Sequence, residues 1–201
     1  MAFKYVREGG RMGDQKIIYP VGDSHAWHCW LKIPEASTYT VGPMTLYHFG
    51  LYKPVVTDLI PKDKIVVFCW GEIDCRCHVY MHLPSIPCIN NLVKNYREAI
   101  KVNTIGRDPG KVWVYNVVPP AKEHPLDNPG FPFLGTGEER LSYAQYMNET
   151  LSRMCHVEGW TFVDVYKFYS DKEGFLIPGM SDDQVHVSDP KPLQEFVNAH
   201  T

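Results

Sequence analysis

The sequence predicts an α/β fold, a three-layer α/β/α sandwich around a mostly parallel five-stranded sheet. Three observations lead there. Short β-branched runs alternate with long helical stretches, the order that builds βαβ units. Three of the runs stop abruptly on a glycine, at Gly22, Gly42 and Gly71. The run over residues 65–70 is apolar without alternation, as in a central strand covered on both faces.

Each element follows in order. Residues 1–14 are polar and glycine-containing and read as an N-terminal extension without the apolar core of a signal peptide. Residues 16–21 form a first strand that ends at Gly22-Asp23-Ser24-His25, and residues 37–41 a second that ends at Gly42-Pro43. Asp63-Lys64 introduces the third strand, which stops at Gly71-Glu72-Ile73-Asp74. Over residues 86–104, Ile89, Leu92, Val93, Tyr96, Ala99 and Ile100 recur at three- and four-residue spacings, with Lys94, Arg97, Glu98 and Lys101 turned outward. That pattern is an amphipathic helix.

Residues 112–118 are a fourth strand, closed by Pro119-Pro120. Between 119 and 137 lie five prolines and three glycines, so this stretch is expected to be a long structured loop and a candidate lid. A second long helix covers 138–158, a fifth strand 161–165 and a short closing helix 192–199. Open parallel sheets bind ligands at the carboxyl ends of their strands, where the three glycine junctions fall.

Composition bounds the function. With 201 residues, 44% of them apolar, the chain is expected to form one domain over 1–201 with a core that needs no staples. Twenty basic against 23 acidic residues leave a net charge of −3, which gives nucleic acid no basic surface to bind. No apolar stretch is long enough to span a membrane, so a cytoplasmic protein is expected. Six cysteines are too few for a disulfide scaffold and are expected to be reduced, buried thiols.

Two constellations could carry chemistry: Gly22-Asp23-Ser24-His25 after the first strand, and Asp182-Asp183-Gln184-Val185-His186 near the C-terminus. Nucleophilic serine catalysis needs an exposed hydroxyl, an imidazole to take its proton and a carboxylate to orient the imidazole. Ser24, His186 and Asp183 supply these types, with Asp183 close enough along the chain to hold Nδ1 of His186. The string around Ser24 lacks the second glycine of an α/β-hydrolase nucleophile elbow.

It resembles instead the GDSL/SGNH hydrolase family, in which a Gly-Asp-Ser block after the first strand carries the nucleophile and an Asp-x-x-His block near the C-terminus the acid and base. Here these are Gly22-Asp23-Ser24 and Asp183-x-x-His186, and the resemblance spans residues 17–189. It implies a flavodoxin-like sheet and a serine esterase without cofactor or metal, acting on a small-molecule or glycan ester. It also implies an oxyanion hole from the backbone N–H groups of Ser24 and Gly42.

At the third block the chain departs. Many relatives have Gly-x-Asn-Asp with the asparagine as a further oxyanion donor, whereas this chain has Gly71-Glu72-Ile73-Asp74-Cys75-Arg76. Isoleucine donates no hydrogen bond, and Arg76 is the nearest side chain that could replace the donor. The competing reading makes Glu72, Asp74 and Arg76 a salt-bridged structural cluster. Asp23, His25, Glu72 and Asp74 are the further candidates for substrate contact. The third-block string resembles a subgroup of SGNH-like proteins associated with glycan biosynthesis, which implies an O-acyl sugar as substrate. Acyl transfer to a sugar hydroxyl by the same triad, and a non-catalytic glycan-binding domain, are the alternatives.

Cys75, Cys77 and His78, with His25, His28 and Cys29, have the residue types of a zinc site but not its spacing. Cys29 or Cys75 as nucleophile lacks a third residue placed as well as Asp183. Trp27, Trp30 and Trp70 lie near the site in sequence and are expected mainly in the core. His28, His78, His82 and His124 are expected to be structural or surface residues.

Overall fold

The computed structural model describes residues 6–8, 16–123, 129–182 and 184–201. Six strands form one sheet: β1 (Val6–Glu8), β2 (Ile18–Gly22), β3 (Thr38–Thr40), β4 (Ile65–Cys69), β5 (Val112–Tyr115) and β6 (Thr161–Val163). Their order across the sheet is β1-β3-β2-β4-β5-β6. The five expected strands are parallel to one another. The sixth, β1, pairs antiparallel with β3 at the edge. It comes from the stretch expected to be an extension, whose other residues lie outside the described ones.

Alternation along β4 and β5 divides the core in two. Val66, Phe68, Val112 and Val114 face one layer with Leu46, Phe49, Ile89, Tyr96 and Met147. These come from α1 (Leu46–Tyr52), α3 (Ser85–Asn103) and α4 (Gly137–Glu158). Ile65, Val67, Cys69, Trp113 and Tyr115 face the other layer with Trp30, Leu193 and Val197. The last two come from α6 (Lys191–His200). Two short helices, α2 (Val79–Met81) and α5 (Tyr166–Tyr169), complete the set. Both faces of the sheet are therefore covered, which explains the unbroken apolar run of β4.

Helix ends follow local chemistry. Thr136 and Glu139 close a reciprocal capping box at the start of α4, and Gly159 ends it with φ +71°. α1 starts where a distant residue supplies the acceptor: the Asp74 carboxylate takes the backbone N–H groups of Leu46 at 2.6 Å and Tyr47 at 3.0 Å. A seven-residue helix shows no periodicity to read, so α1 was not visible in the sequence.

The chain turns from β3 on one side of β2 to β4 on the other. Open parallel sheets bind ligands at such a reversal, which here lies at the carboxyl end of β2, next to Ser24. The two inner strands come so close there that a Cβ on Gly22 would lie 2.1 Å from the carbonyl oxygen of Cys69. Only glycine fits that rung.

Among the described residues, no helix is long and apolar enough to cross a membrane.

Candidate active site

Ser24 opens a 3₁₀ turn, Ser24–Ala26, whose N-cap Asp23 accepts the backbone N–H of His25 at 2.8 Å. The turn follows β2 directly, so the strand and its cap fix the half-buried hydroxyl at the sheet rim. His186 arrives from the opposite end of the chain on a tight loop closed by a bridge between Ser181 and Val187. Its Nε2 lies 2.8 Å from Ser24 Oγ. Its Nδ1 lies 2.6 Å from Asp182 Oδ2.

Among the described residues, the carboxylate on His186 is therefore Asp182; Asp183, expected from the family spacing, lies outside the described residues. The physical reason is the loop. Asp182 Oδ1 also accepts the backbone N–H groups of Gln184 at 3.0 Å and His186 at 3.1 Å, which folds the segment back so that residues four apart face each other.

Electrostatics set the protonation states. Burial first, and then the charge of His25, push the His186 imidazole down to about 3, against the pull of Asp182. The ring that faces Ser24 is thus unprotonated at neutral pH, with Nδ1–H donated to Asp182 and Nε2 free to accept the serine proton. Burial alone would raise the Asp182 carboxyl, but hydrogen bonds from the His186 side chain and backbone bring it below the ordinary range.

Gly42 sits on the same rim. β2 and β3 pair in parallel with Gly22 opposite Thr40, so Ser24 and Gly42 each lie two residues beyond one rung. Gly42 has φ +80° and open space where a Cβ would be. It is held by backbone geometry, not by packing.

The structure turns the four candidate substrate contacts inward. Asp23 and Asp74 are fully buried. His25 has both ring nitrogens committed to protein acceptors, Asp23 Oδ1 at 3.0 Å and the Val185 carbonyl at 3.3 Å. Glu72 is buried against Arg76, with Oε1 3.1 Å from Nε. Asp74 caps α1. None of the four has its charge free for a ligand.

Arg76 likewise belongs to the structural reading. It lies in a π-helical stretch, Asp74–His78, that places it four residues after Glu72. Its guanidinium covers the Phe133 ring at 5.1 Å, and Arg140 covers the same ring at 5.2 Å. Arg140 is almost fully buried. It donates to the carbonyls of Gly135 at 2.9 Å and Leu134 at 3.4 Å, and to those of Lys122 at 3.3 Å and Ala121 at 3.5 Å. These carbonyls belong to both arms of the long loop expected as a lid. Its described arms are thus pinned over the third block, and Leu134 N–H also donates to the Arg76 carbonyl at 3.0 Å. His124 lies outside the described residues.

Sequence reasoning missed His28. Its ring stacks on His186 with centroids 3.7 Å apart and planes 10° apart. Its Nδ1 lies 4.0 Å from the same Asp182 oxygen. The string Ser24-His25-Ala26-Trp27-His28 contained the signal, since a helical spacing of four returns residue 28 over residue 24, where its N–H meets the Ser24 carbonyl at 3.2 Å.

His28, Asp182 and His186 bring three possible metal-donor atoms within 4.8 Å of one another. The two rings are nearly parallel, so their in-plane lone pairs do not converge on one point, and the donor set does not fit a tetrahedral ion without rearrangement. Among the described residues, no such group includes Cys75, Cys77 or His78. Cys75 packs on the Met147 sulfur at 3.8 Å, and Cys77 donates to the Ile73 carbonyl at 3.1 Å. All six thiols are free. Burial pushes the Cys29 thiol up to about 11 and the Cys75 thiol well above its ordinary value, far from the thiolate a nucleophile needs.

Comparison with solved structures bears on the whole arrangement. A GDSL-like lipase from Bacteroides thetaiotaomicron superposes with a TM-score of 0.59 at 16% identity, over 92% of this chain and 87% of that one. The chain has the SGNH hydrolase fold. A phospholipase A1 from Streptomyces albidoflavus shares the SGNH fold with a TM-score of 0.55 at 12% identity, over 92% and 98% of the two chains. A catalytic mutant of an acetylxylan esterase from Geobacillus stearothermophilus does so with a TM-score of 0.51 at 10% identity, over 94% and 95%. No protein-family model matches the sequence, and no curated protein matches it. Within the SGNH fold, Ser24 and His186 stand at the ends of the first and last blocks that carry the sequence resemblance.

Proposed function

We propose that the chain is a serine ester hydrolase that removes a small acyl group, acetyl first among them, from a carbohydrate hydroxyl. The observation that carries the reading is the continuous relay from Ser24 Oγ through His186 to Asp182, with links of 2.8 and 2.6 Å. Ser24 Oγ attacks the ester carbonyl carbon while its proton passes to His186 Nε2. The carbonyl oxygen becomes an oxyanion facing the backbone N–H groups of Ser24 and Gly42. Collapse expels the sugar alcohol, which takes the proton from His186. Water then repeats the sequence on the acyl-serine and releases the carboxylic acid and Ser24.

Asp182 holds the tautomer and offsets the positive charge that forms on His186. The hole is proposed with two backbone donors, because the Arg76 guanidinium is engaged by Glu72 and Phe133. A carbohydrate leaving group is supported by the third-block resemblance and by the acetylxylan esterase among the structural neighbours.

The test is acetate release from O-acetylated oligosaccharides beside hydrolysis of p-nitrophenyl acetate and octanoate. Faster turnover of acetyl than octanoyl esters, with acetate released from the sugar, is the expected result. Turnover of long-chain esters alone would refute the small-acyl assignment. Acyl transfer shares every one of these contacts and shows itself as acetylated sugar product when a free acceptor is added.

A further inference from the structure

We propose that His25, the residue after the nucleophile, is a positioning residue held as a buried imidazolium: it ties the loop of His186 to the turn of Ser24, and its charge keeps the general base unprotonated in acid. The inference rests on the triad proposed above.

His25 Nδ1 faces the Asp23 carboxylate at 3.0 Å and Nε2 faces the Val185 carbonyl at 3.3 Å. Both groups accept only. A neutral imidazole has one N–H and would turn a lone pair towards one of them, whereas the imidazolium donates to both. His25 is 7% exposed, so water does not take up the mismatch.

Charge balance points the same way. Asp23 is fully buried, and among the described residues its ion-pair partner is His25. Loss of the His25 proton would leave a buried carboxylate without a counter-charge, a costly arrangement. Burial opposes the charge on His25, but Asp23, Glu72 and the Val185 carbonyl outweigh it and hold the ring above its ordinary value.

The groups facing this cation come from three elements: Asp23 from the turn after β2, Glu72 from the segment after β4, and the Val185 carbonyl and His186 from the C-terminal loop. His186 in turn meets Asp182 on its own loop and His28 from the first turn, and His28 feels Lys32.

Two consequences follow from position. Val185 directly precedes His186, so the Nε2 bond anchors the base's own backbone to the nucleophile turn. The His25 ring centre also lies 4.7 Å from that of His186, close enough for a fixed positive charge to oppose a second one. The arrangement trades base strength for working range: His186 accepts the serine proton less readily, with Asp182 offsetting the charge, and it remains competent where an ordinary histidine is already protonated.

The experiment combines two measurements on wild type, His25→Asn and His25→Gln. ¹⁵N NMR of the histidine rings reads protonation whether or not an ester is turned over. kcat/KM for p-nitrophenyl acetate over about pH 3–8 reads the base. In wild type, one histidine is expected to keep both ring protons at pH 7 while the acid limb lies below about pH 5. In either variant that limb is expected to rise by more than about one unit.

A merely structural His25 would lower the rate at every pH and leave the limb in place, and that result overturns the proposal. So does a wild-type spectrum in which every histidine is neutral at pH 7, which needs no variant to fold. If the wild type hydrolyses no ester, the triad reading fails, and the spectrum still decides the state of His25.

Discussion

Two clusters of charged side chains stand at the carboxyl end of the same sheet and behave differently. The cluster of Ser24, His186 and Asp182 is partly buried, and its hydrogen bonds run in one line to a hydroxyl at the sheet rim. The cluster of Glu72, Arg76 and Arg140 is sealed, and its donors end on carbonyls, a carboxylate and the faces of Phe133. The difference lies in where the last donor points. A relay that ends on a group facing solvent can do chemistry, whereas a network that closes on the backbone holds a loop in place.

The largest effect should separate the clusters outright. Ser24→Ala is expected to lower ester turnover at least about a thousand-fold without changing the urea midpoint, checked by steady-state kinetics beside a denaturation curve. Asp182→Asn should follow closely, with a loss of a thousand-fold or so as the wrong His186 tautomer becomes favoured. Asp183→Asn is expected to stay within a few-fold of wild type. Equal losses in the two asparagine variants would remove the assignment of the orienting carboxylate to Asp182.

The sealed cluster should respond in the other currency. Arg140→Ala removes the donors shared by both arms of the loop at 119–137 and is expected to cost about 3 kcal/mol of stability, read from urea unfolding. Arg76→Ala strands the Glu72 carboxylate, which burial already raises above its ordinary value, and should cost a similar amount. If Arg76 were an oxyanion donor, turnover would fall by about a hundred-fold or more in molecules that remain folded. A loss confined to stability is the expected outcome.

The smallest effect concerns pH. The base must be unprotonated, and its value is pushed down by burial and by His25, so lowering pH from 7 to 5 is expected to reduce kcat/KM by less than about two-fold. An ordinary histidine near 6.5 would lose most of its activity over that interval.

The contrast also shows what the sequence could carry. The five parallel strands and both long helices were legible because their periodicity is local, and Ser24 and His186 because each follows a recognisable block. The role of Asp182 was not legible: an Asp-Asp doublet offers two carboxylates, and what brings Asp182 to His186 is a loop that folds back through Asp182's own bonds to Gln184 and His186. The inward turn of Asp74 was illegible because the N–H groups it satisfies lie on a helix 27 and 28 residues away. The Glu72-Arg76 pair was legible in its four-residue spacing, but Arg140, which shares its Phe133 ring, was not.

The most direct test of the central claim is reaction with a serine-directed fluorophosphonate, followed by peptide mass spectrometry. One equivalent of label on the peptide containing Ser24, lost in Ser24→Ala and greatly slowed in His186→Ala, is the result expected from the relay. Label on any other residue, or an unlabelled but folded wild-type protein, would contradict it.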